Sequence, residues 1–188
     1  MSRSSEPPAR PGAGAVRQRL EEILRVDHAG ELGAVWIYRG QRAVFEAVSG
    51  HEPIGEALQA MQAHEQAHLE RFDALLNDRR VRPTLMAPLW RLAGFALGAG
   101  TALLGEAAAH ACTEAVETVI EDHYAGQVAE LSAREPDLAH ELCGFRDEEL
   151  AHRDHAVNSG ARLAPGYELL GAAIRAGCRA AIRISEKV

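Results

Sequence analysis

Two stretches of this 188-residue chain repeat the pattern Glu-x-x-His: Glu65-Gln-Ala-His68 and Glu149-Leu-Ala-His152. Residues three apart on an α-helix project to the same side, so each pair sets a carboxylate and an imidazole where they grip one metal ion. A chain with this much Glu and His yields about one such motif by chance, so the count alone decides nothing. Position says more. The motifs lie 84 residues apart, and each follows another carboxylate at a similar interval, Glu31 34 residues before Glu65 and Glu117 32 residues before Glu149. One Glu from each of two helices, with Glu-x-x-His from each of two others, is the ligand pattern of dinuclear carboxylate bundles.

Other residues compete for these roles. Taken alone, each Glu also reads as a solvated charge on a helix face. Glu148 adjoins Glu149, and Glu114 and Glu121 flank Glu117 at helical spacing, so spacing does not exclude them. The i, i+3 spacing of the first motif favours Glu149 over Glu148, and His64 is expected to face solvent. Glu31 shares a face with Leu24, Val35 and Tyr38, Glu65 and His68 share one with Met61, Phe72 and Leu75, and Leu138, Leu142 and Phe145 lie on or near the side of Glu149. A carboxylate on an apolar stripe is costly unless paired or metal-bound. Four Glu carboxylates balance two divalent cations. Carboxylate and imidazole together suit iron or manganese better than structural zinc or calcium, and iron is preferred because Fe(II) pairs activate O₂.

The elements that must position these residues are helices. Ala, Leu and Glu dominate, aromatics are 5%, and no strand-like alternation rich in Val, Ile and Thr occurs. A first helix is expected over about Val16–Val48, ended by Ser49-Gly50-His51-Glu52-Pro53. A second runs over about Ile54–Arg80, and a third, apolar, over Leu89–Gly105. A fourth reaches about Ala133, ended by Arg134-Glu135-Pro136-Asp137, and a fifth about Ser159. Ala164-Pro165-Gly166 precedes a sixth. The first, second, fourth and fifth then form a four-helix bundle of ferritin-like connectivity. The apolar third helix is its long crossover, and the sixth is an extra C-terminal helix.

Leu92–Gly105 carries no charge over 14 residues, roughly 21 Å of helix against a ~30 Å bilayer core. It is expected not to span a membrane, but to be either a buried core helix or one that dips into a membrane face. Gly94, Gly98 and Gly100 allow close packing in either case. Met1–Gly14, rich in Ser, Pro, Arg and Gly, reads as a disordered tail before one domain over 15–188. A net charge of −7 argues against nucleic-acid binding. Cys112, Cys143 and Cys178 form no CxxC and suggest neither a disulfide framework nor a zinc-thiolate site.

The stretches Arg25-Val-Asp-His-Ala-Gly-Glu-Leu-Gly-Ala34, Ala111-Cys-Thr-Glu-Ala-Val-Glu117 and Phe145-Arg-Asp-Glu-Glu-Leu-Ala-His152 resemble the demethoxyubiquinone hydroxylase family of ubiquinone biosynthesis, as does Arg82 to Gly105. The similarity covers about residue 20 to the C-terminus. It implies metal ligands at Glu31, Glu65, His68, Glu117, Glu149 and His152, which selects Glu117 over its neighbours. It also implies His123 and Tyr124 as residues packed near the site. The implied enzyme is a di-iron monooxygenase that hydroxylates the ring of a polyprenylated benzoquinone with O₂ and electrons from NADH. No dinucleotide fingerprint is visible, so NADH would bind at the surface or pass electrons through the quinone. The lipid substrate implies a peripheral membrane protein. The expected place is the cytoplasmic face of a bacterial inner membrane, with the matrix side of the mitochondrial inner membrane as the alternative. Partners would be the polyprenyl quinone and the membrane surface, with a homo-oligomer or ubiquinone-biosynthesis proteins as further candidates. The rival reading is a ferritin-like iron-handling or peroxide-reducing protein.

Overall fold

The structure, a computed structural model, describes residues 13–47 and 52–188. It has six α-helices: α1 (Ala13–Phe45), α2 (Glu52–Arg79), α3 (Ala87–Leu103), α4 (Glu106–Leu131), α5 (Pro136–Asn158) and α6 (Tyr167–Ser185), with a 3₁₀ turn (Ala161–Leu163) before the last. The fold is the expected all-α, ferritin-like bundle, with no strand among the described residues. The expected tail lies outside those residues except for Ala13 and Gly14, with which α1 begins. Val48, Ser49, Gly50 and His51, expected to end the first helix and begin its turn, lie outside them too.

Both expected hairpins form: α1 packs on α2, and α4 on α5. Two apolar clusters fill opposite ends of the bundle. Leu24, Phe72, Leu75, Leu138 and Leu142 belong to one, and Phe45, Leu58 and Met61 to the other. Each fully buried Leu or Phe contributes about 1.5–3 kcal/mol of transfer free energy, which holds the four helices in register. On α1, α2 and α4 the candidate ligands fall in the turns between these clusters, and on α5 they follow the residues Leu138 and Leu142 of the first.

α3 and α6 occupy related places. α3, which follows the first hairpin, lies along α1, while α6, which follows the second, lies along α4. The crossover and the extra helix are thus equivalent members of two three-helix halves. The α1–α3 contact is a close backbone approach. A methyl group added at Gly98 would sit 2.0 Å from the Ile37 carbonyl oxygen, and one at Gly40 2.3 Å from that of Phe95. Gly94 makes a similar approach, whereas the expected close packing at Gly100 is not found, since a Cβ there meets nothing.

A fully buried α3 is also not found. Gly94, Gly98, Thr101 and Ala102 face the protein. Leu92 (68% exposed), Leu103 (75%), Leu85, Leu89, Phe95 and Leu104 do not. One face of α3 supplies small residues to α1, and the opposite face has no core to enter. No helix among the described residues is long and apolar enough to cross a membrane. Cys112, Cys143 and Cys178 are free thiols.

Candidate metal centre

The middle of the bundle buries charge. Glu31, Glu65, Glu117 and Glu149 are each at most 1% exposed, and His68 and His152 are also buried. The helices bring all six expected ligands into one cluster. His68 Nδ1 lies 3.5 Å from Glu31 Oε2 and 3.3 Å from Glu149 Oε1, and His152 Nδ1 lies 3.0 Å from Glu65 Oε1 and 3.3 Å from Glu149 Oε2.

Buried polar atoms normally find hydrogen-bond partners. Here Glu31 Oε2, both carboxylate oxygens of Glu65 and Glu149, Glu117 Oε2 and the two histidine Nδ1 atoms have none. They fall into two sets of mutually close donors, one from Glu31, Glu65, His68 and Glu149, the other from Glu65, Glu117, Glu149 and His152, each set within 4.8 Å. Glu65 and Glu149 belong to both. This donor set fits two divalent ions with two shared carboxylates, one terminal Glu each and one His each. The chemistry of the donors suits iron or manganese.

Without cations the arrangement is electrostatically strained. Burial pushes the Glu31, Glu65 and Glu117 carboxyls above the usual carboxylate range, and repulsion from neighbouring carboxylates adds to it. Burial also acts on Glu149, but hydrogen bonds and attraction from His152 and His68 outweigh it and hold this group at about 2. His68, which burial alone would lower, is carried up to about 11 by Glu149 and Glu31. A bound metal pair would replace this frustrated sharing of protons with charge balance.

A frame of donors orients the ligands. Tyr38 on α1 donates to Glu117 Oε1 on α4 (2.7 Å), and Tyr124 on α4 donates to Glu31 Oε1 on α1. Each Tyr lies seven residues after the Glu of its own helix and bonds the Glu of the other. Gln41 and Gln127, ten residues after those same glutamates, are both buried. Gln41 donates to the Ala109 carbonyl (3.1 Å), and Gln127 to Asp27 Oδ1 (2.7 Å), where His123 Nε2 also lies 3.3 Å away. Of the two residues expected to pack near the site, Tyr124 touches a candidate ligand, while His123 Nε2 reaches Asp27 and, at 2.8 Å, Gln127 Nε2. Sequence reading missed Tyr38, Asp27 and the two glutamines as partners. The repeated offset Glu-x₆-Tyr was the available signal.

The competitors have other partners. Glu114 accepts from the Tyr167 hydroxyl (2.7 Å), and Glu121 pairs with Arg153. Glu148 Oε2 lies 2.9 Å from His68 Nε2, behind the ring rather than in front of it. His64 is exposed as expected, yet its Nδ1 lies 3.1 Å from His152 Nε2, so it is not simply a solvent group. With both Nε2 atoms so engaged, Nδ1 is the nitrogen each imidazole offers inward.

A cavity of about 560 Å³ lies along the turns of α1 and α4 that carry Glu31 and Glu117, roofed by α3 and α6 and floored by α1 and α4. Gly30 and Val116, each preceding a candidate ligand, line its floor, as do Ala34 and Ile120, each three residues beyond one. Its walls are almost wholly apolar. Trp90 Nε1 donates to Ser185 Oγ (2.9 Å) and ties α3 to α6 at one end.

The chain matches the family described as ubiquinone biosynthesis protein COQ7 over residues 18–185. It is 50% identical over 178 residues to the 3-demethoxyubiquinol 3-hydroxylase of Rhodospirillum rubrum, covering 95% of this chain and 82% of that one. It is 49% identical over 175 residues to the NADPH-dependent 3-demethoxyubiquinone 3-hydroxylase, mitochondrial, of Mus musculus, covering 91% and 79%. It is 40% identical over 185 residues to the 5-demethoxyubiquinone hydroxylase, mitochondrial, of Saccharomyces cerevisiae, covering 90% and 78%. A match along nearly the whole described chain, at these identities, makes it a member of the COQ7 family of ubiquinone biosynthesis proteins.

Proposed function

We propose that the chain is a di-iron monooxygenase that hydroxylates the ring of a demethoxyubiquinone-type substrate, its six ligands being Glu31, Glu65, His68, Glu117, Glu149 and His152. The observation that carries this reading is the pairing of two features: eight orphaned donor atoms converge in the bundle, and an apolar cavity is lined by residues on the same turns of α1 and α4 that carry Glu31 and Glu117. An iron-storage or peroxide-reducing protein needs the first feature and has no use for the second.

A bound iron pair would supply the electrons and open coordination positions that O₂ activation requires. The overall change places one oxygen atom in a ring C–H bond and releases the other as water, with two electrons and one proton drawn from an external donor and a second proton from solvent. The protein's own groups set the conditions. The Tyr38 and Tyr124 hydroxyls fix the terminal carboxylates Glu117 and Glu31, and burial keeps both phenols protonated and donating. The two apolar clusters close the bundle to water above and below the centre, which protects a strong oxidant from side reactions. The cavity holds the quinone ring against α1 and α4 and lets an isoprenoid tail leave between α3 and α6.

That exit opens beside the exposed leucines of α3, and Leu163 and Leu169 add to the apolar surface. An exposed apolar patch of this kind marks a membrane or partner surface. The chain is therefore read as peripheral to a membrane that holds its lipid substrate, with the cytoplasmic face of a bacterial inner membrane preferred over a mitochondrial one. The donor is a reduced nicotinamide nucleotide. The murine relative is named for NADPH, and NADH was the expectation from the resemblance, so both belong in the assay.

Iron-loaded protein, given demethoxyubiquinone, O₂ and NADH or NADPH, should yield a product one oxygen heavier by mass spectrometry, and nothing when O₂ is withheld. Peroxide or O₂ consumption with no ring oxidation would favour the rival class instead.

A further inference from the structure

The two halves differ where their histidines face outward. The residue before each motif glutamate reaches across to the histidine of the other half: Glu148, before Glu149, meets His68 Nε2 at 2.9 Å, and His64, before Glu65, meets His152 Nε2 at 3.1 Å. The His64 and His152 rings lie within 15° of parallel with centroids 5.4 Å apart, so they meet edge to edge in nearly one plane rather than face to face. Glu148 and His64 hold equivalent places in the repeat, one a carboxylate and the other an imidazole.

We propose that this pair makes the two metal positions unequal, the ion held by Glu31 and His68 binding more tightly than the ion held by Glu117 and His152. The inference rests on the two-metal reading above. A carboxylate that accepts the Nε2–H of a ligating histidine makes the ring more electron-rich and adds negative charge behind it, and such outer partners typically change metal affinity 10–100-fold. A neutral imidazole accepts the same hydrogen bond and adds no charge. The Glu148 side chain is half-exposed, at 51%, so water dampens its charge without removing the bond. The other outer contacts are matched, since each terminal glutamate accepts from one tyrosine of the opposite half. Asp27 is a second departure, because its equivalent place on α4 is Thr113, but exchanges at 64 and 148 leave it untouched. Glu148 and His64 are positioning residues: each acts on the metal through a histidine.

The test uses the full chain, loaded anaerobically with Co(II) or ⁵⁷Fe(II). Stepwise Co(II) titration should give two affinities about 10–100-fold apart, and half-loading with ⁵⁷Fe(II) should populate one Mössbauer doublet before the other. Glu148→Gln keeps an acceptor but removes the charge and should narrow the affinity ratio about tenfold by weakening the tighter position. His64→Glu should narrow it by tightening the weaker one, and its exposed site leaves folding intact even if the first variant fails to fold. Two ions of equal affinity filling together, or a ratio unmoved by both substitutions, would overturn the inference while leaving the dinuclear reading standing. Failure of the unaltered chain to bind any metal would overturn both.

Discussion

Helices α1–α3 and α4–α6 hold the same chemical frame inside different packing. In both halves a Glu on the first helix is followed by Tyr seven residues later and Gln ten residues later, and the second helix carries Glu-x-x-His. Around that frame the halves diverge. α3 meets α1 backbone to backbone through glycine and turns leucines outward, while α6 meets α4 through Ile174 and Leu170 against Cys112, Ala115 and Val116. The contrast teaches that the buried carboxylate–histidine cluster constrains a handful of positions by geometry, and leaves the surrounding helix contacts free to serve other ends.

Breaking the frame should have the largest effect, and unequally by position. Glu149→Ala or Glu65→Ala removes a carboxylate shared by both ion positions and should abolish hydroxylation and most metal binding. Glu31→Ala or Glu117→Ala touches one position and should leave about one ion per chain by elemental analysis. Equal losses from all four would break the distinction between shared and terminal ligands. Next comes the packing that clamps the frame. Phe72→Ala opens a cavity in a fully buried cluster and should cost about 3–5 kcal/mol in denaturant unfolding.

The halves should answer differently to the same small change. Gly98→Ala forces a methyl group onto the Ile37 carbonyl and should destabilise the fold by about 1–3 kcal/mol. Gly171→Ala on α6 meets only the mobile end of Arg175 and should be near neutral by the same measurement. The tyrosines should answer alike. Tyr38→Phe and Tyr124→Phe each remove one donor to a terminal carboxylate, and each should weaken metal binding by about tenfold.

Acidity gives a further handle on the metal-free protein. Glu31, Glu65 and Glu117 have native pKa values above their ordinary ones, and His68 is raised to about 11. These four groups bind more protons in the native state than in the unfolded chain and outnumber His28 and His110, which burial lowers and which act the other way, so stability falls as pH rises from the carboxylate range toward that of His68. Glu149, held at about 2, acts with opposite sign, but its contribution is lost only in acid below this window. The melting temperature of metal-free protein should drop between about pH 5 and about pH 8, and metal loading should reverse the trend. A rise over that range would contradict the buried, frustrated cluster.

Helices, their order and the candidate ligands were legible in the sequence because each rests on a local rule. Pro and Gly punctuate the chain, and Glu-x-x-His shares one helix face. What escaped depends on contacts between distant segments. Spacing on α4 left Glu114, Glu117 and Glu121 open; the resemblance selected Glu117, and the fold gives the physical reason by assigning Tyr167 to the first and Arg153 to the last. Nothing local says that Tyr38 reaches Glu117, or that His64 meets His152. The outward leucines of α3 were equally ambiguous, since a buried helix and a surface-seeking one share the same composition.

The central claim is that two repeated halves build one dinuclear site through six residues. Anomalous diffraction at the iron edge from crystals of anaerobically loaded protein tests it most directly. The account predicts two peaks about 3.5–4 Å apart, with Glu65 and Glu149 touching both, and Nδ1 of His68 and of His152 each on one. A single peak, or ions held by Glu114, Glu121, Glu148 or His64 in place of these ligands, would contradict it.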